Sequence, residues 1–211
     1  PTTATASATH ESASRRGVFD SVTVVQSQRV RTAMRRAYAS DRGRRPYARG
    51  TMDDTISATD LEHLHRAIAV SIDAREHGNH PFGAILVTAD GRILEAENTV
   101  ITDHDVTGHA ETNLVRLAWR ELDAPALAHA TLFTSCEPCA MCCGAIFWAG
   151  IGRVVYALSG TGLIEITAGD GDGPDLDHPS RLVFADGNRP VAVSGPHLED
   201  EAAAAHLGFW G

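Results

Sequence analysis

Four residues of this 211-residue chain have types and spacings that could do chemistry: His109, Glu111, Cys139 and Cys142. Cys139 and Cys142 are three apart and follow Pro138 directly. On the first turn of a helix that spacing puts both sulfurs on one face. Pro138 suits the start of such a helix, where its missing N–H costs nothing. A helix N-terminus also favours negative charge, which helps both thiols stay deprotonated. Two thiolates on one face make half of a tetrahedral zinc site. A C-x-x-C pair standing alone also reads as a redox dithiol, or as two small apolar residues in a core.

His109 adds a third ligand, at the start of another helix and after a polar loop. Three protein ligands leave a position open for water, as in catalytic zinc sites; four close the shell, as in structural ones. Cys143 is turned about 100° around the helix from Cys142. Cys136, just before the helix turn, is the residue that could close the shell. Glu111 lies two residues from His109 and is not eclipsed by it. A carboxylate beside the open position can take a proton from bound water and return it to a ring nitrogen and a leaving amine. Glu111 by itself would read as a surface acid in a first helical turn. Joined to the P-C-x-x-C some 30 residues on, it reads as the proton carrier of a metal site.

The elements that must position these residues follow from periodicity. Thr59-Asp60-Leu61-Glu62 fits a capping box. Leu61, Leu64, Ile68 and Ile72 then recur at helical spacing to about Glu76, and Gly78 ends the helix. After His80-Pro81-Phe82-Gly83, Ala84–Thr88 reads as a strand. Asp90-Gly91 is a turn, and Arg92–Glu97 is the returning strand. A polar loop, Asn98–Gly108, leads to a helix from His109 to about Leu122. Thr131–Thr134, a buried helix over Cys139–Ala149 and a strand over Arg153–Leu158 follow. The order α, β, β, α, β, α, β predicts a mixed sheet with helices on both faces. Beyond Ser159 the pattern weakens. Gly160–Pro174 reads as a loop, Val191–Val193 as a strand and Leu198–Leu207 as an acidic helix.

Charge divides the chain. All 18 basic residues are arginine. Residues 1–51 hold ten of them against Glu11, Asp20 and Asp41, a balance of 10 − 3 = +7; residues 52–211 stand at 8 − 24 = −16. The acidic body opposes a phosphate backbone, so nucleic acid is not the expected partner. Residues 1–51, rich in Ser, Thr, Ala and Arg with only Val18–Val25 strand-like, are expected to be a disordered extension. A basic arm, a transit-like peptide or a stretch outside the functional protein, with Met52 as the start, are its three readings; the last is preferred. The active domain is expected over 52–211. No apolar run approaches the roughly 18–20 residues of a membrane span. Four cysteines within eight residues suit a reducing compartment, so a cytoplasmic location is expected.

H-x-E followed by P-C-x-x-C is the pattern of zinc deaminases. Over roughly residues 60–160 the chain resembles the cytidine deaminase-like superfamily, in its purine and tRNA-adenosine deaminase branch. The stretch from Thr134 to Ala149, T-S-C-E-P-C-A-M-C-C-G-A-I-F-W-A, is most similar to bacterial guanine deaminases. The resemblance implies a three-layer α/β/α sandwich with a five-stranded mixed sheet, one zinc per subunit and a homodimer. It implies that His109, Cys139 and Cys142 bind zinc and that Glu111 shuttles protons. By the same likeness Asn98 bonds the base through its amide, Ala110 offers a backbone N–H to a ring carbonyl, and Trp148 stands near the base. Trp148 also fits a core aromatic, Asn98 a turn residue, and Phe82 either base stacking or core packing. The implied reaction is hydrolytic deamination of a small amino-purine base, guanine to xanthine and ammonia first. Guanosine, cytosine or another nucleoside follows, then tRNA adenosine, and a zinc-stabilised binding protein is the non-enzymatic alternative. Two departures stand out. Thr107-Gly108-His109 replaces the usual Pro-x-Ala-His, which should loosen the loop before the ligand. After Ser159 the chain does not match the guanine deaminase tail, so Glu165 or an acid within Asp170–Asp177 is expected to supply a second polar contact.

Overall fold

A computed structural model describes residues 56–167 and 176–210. The expected extension over 1–51, its strand at Val18–Val25, the start at Met52 and the acids Asp170, Asp172 and Asp175 lie outside the described residues.

The first helix, α1 (Ala58–Glu76), starts two residues before the expected box. Ser57 is the N-cap: its hydroxyl accepts from Asp60 N at 3.0 Å, and Asp60 accepts from Ser57 N at 3.1 Å. The reason is tertiary. Arg153 grips both oxygens of Asp60, at 2.8 and 3.0 Å, and so holds the third position of the box. That guanidinium keeps the Asp60 carboxyl at about 2, below its ordinary 3.8, against the opposing effect of burial. A depressed carboxylate stabilises the fold fully above its unfolded value and loses that contribution as pH falls through the folded one. Asp60→Asn is therefore expected to cost about 1 kcal/mol at pH 7, after screening at a partly exposed pair. Urea melts should show the gap to the parent closing between pH 7 and pH 2.

Strands β1 (Gly83–Val87) and β2 (Ile93–Glu97) form a hairpin, with Gly83 opposite Glu97 and Val87 opposite Ile93. Helix α2 (Ala110–Glu121), the short α3 (Ala124–Ala128), β3 (Thr131–Cys136), α4 (Ala140–Ala149) and β4 (Arg153–Leu158) follow. Then come α5 (Gly160–Thr167), α6 (Ser180–Ala185), β5 (Ala192–Ser194) and α7 (Glu199–Ala204). The sheet order is β2-β1-β3-β4-β5. β1 is antiparallel to β2 and β3, while β3, β4 and β5 run parallel. The expected five-stranded mixed sheet of the cytidine deaminase-like α/β fold is what forms.

Alternation along the inner strands divides the core in two. Leu86, Leu132 and Val154 face α2 and α4; Ile85, Phe133 and Val155 face α1 and α7. Helix α1 lies close on its strand because Gly83 has no side chain: a Cβ there would overlap Ser71 N and Ala67 O. On α1 the buried stripe is Leu64, Ala67, Ile68, Ser71 and Ala74, whereas Ile72 is exposed. Helix α4 ends at Gly150, whose φ of 86° lets its N–H return to Ile146 O and Phe147 O.

The region after Ser159 corrects the sequence reading. Residues 160–167 form α5 rather than loop, although Gly160 and Gly162 disfavour helix. Ser159 offsets this by accepting from Gly162 N and Leu163 N, and Leu163 and Ile166 pack against the α1-side core. Helices α3 and α6 were not anticipated; each is a turn or two long and gives little periodic signal. Strand β5 sits one residue later than expected, and α7 is shorter, its last residues being turns. Among the described residues no helix is long and apolar enough to cross a membrane.

Candidate active site

Two helix starts meet at the parallel side of the sheet. His109 is the N-cap residue of α2 and Cys139 that of α4, and neither side chain caps its own helix. Both are therefore available to a ligand. Cys142 sits in the first turn of α4 and is fully buried. His109 Nδ1 lies 3.7 Å from Cys139 Sγ and 3.6 Å from Cys142 Sγ, and the sulfurs are 3.6 Å apart. Tetrahedral ligands at about 2.0 Å (N) and 2.3 Å (S) from a shared zinc are separated by about 3.5–3.8 Å. The three donors fit zinc in both type and spacing, and they form the one metal-capable cluster among the described residues.

Cys136 is not part of the cluster. It is buried at the end of β3 and packs with the α1-side core, outside the donor group. Cys143 points into the opposite core and donates to Pro138 O at 3.2 Å. The protein thus offers three ligands, the open arrangement of a catalytic site.

Glu111 stands beside the cluster and is buried. Its Oε1 accepts from Thr134 Oγ1 at 3.1 Å and its Oε2 from Cys142 Sγ at 3.5 Å. Burial raises its pKa, helped by the nearby Cys139 charge. Without metal, the hydrogen bond from Cys142 and the His109 interaction bring Cys139 down to about 4, despite burial. Cys142 is driven the other way, first by its bond to Cys139 and then by burial. His109 is raised, chiefly by its bond to Cys139. The two thiols of the metal-free cluster are therefore coupled through one shared hydrogen bond.

The loop before His109 is not loose. Asn113 on α2 donates to Glu97 O, Thr99 Oγ1 and Gly108 O. Thr112 Oγ1 donates to Thr107 O and His109 O. Gly108 packs closely: a Cβ would fall 2.9 Å from Thr99 Oγ1. These bonds replace the stiffness that a proline would have given. Thr134, Thr112 and Asn113 were missed from sequence. Thr134 was legible by alternation, since it shares the strand face of Leu132 toward α2. Glu137 was missed too: its carboxylate accepts from Gly160 N, Ser180 N and Ser180 Oγ, tying α5 and α6 to the turn that carries Cys139.

The other expected residues fare unequally. Asn98 is buried; its backbone N–H donates to Phe82 O, its Oδ1 accepts from Val100 N, and its Nδ2 has no partner among the described residues. Ala110 is buried as the first residue of α2, where helix N–H groups lack intrahelical acceptors. Phe82 packs against the rings of His206, at 5.1 Å, and Trp210, at 6.2 Å. Trp148 is 74% exposed and meets Phe147 edge-on, so it is not a core aromatic. Glu165 and Asp177 are exposed.

Residues 57–158 match the profile of the cytidine and deoxycytidylate deaminase zinc-binding region. A probable cytosine deaminase of Schizosaccharomyces pombe is 44% identical over 155 residues, 74% of this chain and 94% of that protein. The chain belongs to this family of zinc-dependent hydrolytic deaminases. A guanine deaminase of Bacillus subtilis is 42% identical over 103 residues, 48% of this chain and 66% of that protein. Among solved structures, a tRNA:A34 deaminase is similar at a TM-score of 0.54 and 28% identity, over 69% of this chain and 99% of that one. The guanine deaminase of Nitrosomonas europaea shares the fold at a TM-score of 0.57 and 24% identity, over 72% of this chain and 84% of that one. In this deaminase His109, Cys139 and Cys142 are the residues that could hold the zinc.

Proposed function

We propose that the protein hydrolytically deaminates a free amino-keto base, with cytosine as first substrate and guanine as second. The observation that carries the choice is the reach of the fission-yeast likeness. A 155-residue alignment cannot fit inside residues 57–158, so it takes in segments outside the zinc region. A likeness that runs beyond the metal motif favours the cytosine reading over one that covers about half of the chain. The guanine reading rests on the Bacillus relative and on the Thr134–Ala149 stretch. The −16 balance of residues 52–211 weighs against an RNA substrate.

Zinc, when bound, supplies a Lewis acid that brings the pKa of water toward neutrality. Glu111 takes the proton from that water as its oxygen adds to the amino-bearing carbon. The same carboxyl hands the proton to the ring nitrogen, then takes the second from the newly added hydroxyl as it becomes a carbonyl and delivers it to the amine as the C–N bond breaks and ammonia leaves. Its raised pKa suits both directions of transfer. Thr134 holds the carboxyl between the transfers. Asn98 Nδ2 and the Ala110 N–H donate to acceptors on the ring. Trp148 takes no part in this reading.

The test is ammonia release from cytosine, guanine, cytidine, guanosine and adenine with the zinc-loaded full chain. Release from cytosine at the highest kcat/KM is expected. A preference for guanine supports the second reading, and release from none of the five overturns both.

A further inference from the structure

Two buried side-chain nitrogens have no hydrogen-bond partner among the described residues: Asn98 Nδ2 and His206 Nε2. Asn98 belongs to the site already described; nothing so far uses His206. It lies just past α7, is 1% exposed, and stacks on Trp210 with the ring planes 10° apart. Trp210 Nε1 donates to His206 Nδ1 at 3.2 Å. An indole N–H can only donate, so Nδ1 is the acceptor and Nε2 carries the proton. Burial and the Arg75 charge hold the ring neutral, with its pKa at about 4. The unpartnered group is therefore a fixed N–H donor.

Its surroundings place it beside the site. The His206 ring is 5.1 Å from Phe82, whose carbonyl receives the Asn98 N–H. Trp210 also meets His80, at 5.2 Å, and His80 is near enough to His109 for the two charges to oppose each other. Phe82 thus touches both residues that carry an orphan donor, Asn98 through its carbonyl and His206 through its ring. Arg75 at the end of α1 fixes the turn by donating to Ala205 O and Leu207 O at 2.8 and 3.0 Å. A buried N–H left unmade is costly, and a site built to donate rejects a ligand that has no acceptor.

We propose that His206 Nε2–H is a second substrate-recognising donor, which bonds the carbonyl oxygen of a keto-bearing base and thereby disfavours adenine. The proposal rests on the base-deaminase reading. It adds a residue from the C-terminal segment, which the metal motif does not reach.

The experiment compares zinc-loaded full-length parent, His206→Phe and His206→Gln, the last keeping an N–H donor. Rates are measured on cytosine, guanine and adenine. Binding of pyrimidin-2-one, which keeps a carbonyl oxygen, is measured against pyrimidine, which lacks one. In His206→Phe, kcat/KM on the keto base is expected to fall about 10- to 100-fold, mainly through KM. The pyrimidin-2-one preference should shrink alike, and His206→Gln should recover much of both. If His206→Phe does not fold, a pyrimidin-2-one preference that stays at the parental value in His206→Ala overturns the proposal. An active parent whose His206→Phe variant keeps kcat/KM and ligand preference overturns it alone, leaving Nε2 to a buried water. A parent that neither deaminates nor binds any of these bases overturns the base-deaminase reading and this inference with it.

Discussion

Glu111→Gln is expected to lower kcat by about 10⁴-fold while zinc content stays near one ion per chain. The size follows from the carboxyl's double duty. It must accept a proton early and give protons back later, and an amide can do neither. Metal content should survive because the three donors come from His109, Cys139 and Cys142, and the amide oxygen of Gln can still accept where Glu111 Oε2 meets Cys142 Sγ. The same change should stabilise the chelated protein. Glu111 is buried, and its folded pKa lies above its unfolded value, so the parent loses stability as pH rises from the ordinary glutamate range toward that folded value. Gln carries no charge to desolvate. The Gln variant should therefore melt higher than the parent at pH 8, after chelation, and the gap should narrow toward pH 4. Zinc analysis, steady-state kinetics and melts at two pH values check this. Full activity in Glu111→Gln would remove the carboxyl from the reaction.

Cys142→Ser is expected to abolish stoichiometric zinc and, with it, turnover. Cys142 has no exposed surface, and its sulfur is within 3.6 Å of both other donors. Serine offers a harder, shorter donor that remains protonated. Cys136 is not expected to substitute, because it is buried in the α1-side core and lies outside the donor group. The parent should lose stability on chelation. Metal at a thousand times its dissociation constant contributes about 4 kcal/mol, or roughly 8–16 °C for a domain of this size. Cys142→Ser should melt the same with and without chelator. Zinc must also displace the proton shared by the two coupled thiols, so binding should release protons and weaken as pH falls. Calorimetry in two buffers of different ionisation enthalpy reads that release. A variant that still holds one zinc would show that the ligand set is wrong.

The chemistry was legible because its residues lie at element starts. Helix starts have punctuation, such as Pro138 before Cys139, and a three-residue step has one geometric meaning on a helix. The inner strands were legible too, since burial on both faces demands unbroken apolar runs. Alternation then separates Thr134, which reaches Glu111, from Phe133, which does not. The capping box was misplaced by two residues because Ser57 and Thr59 both offer hydroxyls locally. Arg153, 93 residues from Asp60, settled which one is used.

From sequence alone came the candidate zinc ligands, the carboxylate proposed as proton carrier, the order of the main elements and the mixed sheet. Each depends on local spacing or on periodicity, which a linear string records. The tertiary structure alone decided that Cys136 stands apart from the metal and that α5 forms despite its glycines. It also decided that Asn113 and Thr112 do the work of a missing proline, and that His206 comes to lie beside Phe82. Each of these depends on which distant group occupies the neighbouring space: Glu137 reaching α5 and α6, Arg75 holding the last turn, the sheet separating two cores. Distance along the chain carries no record of that proximity.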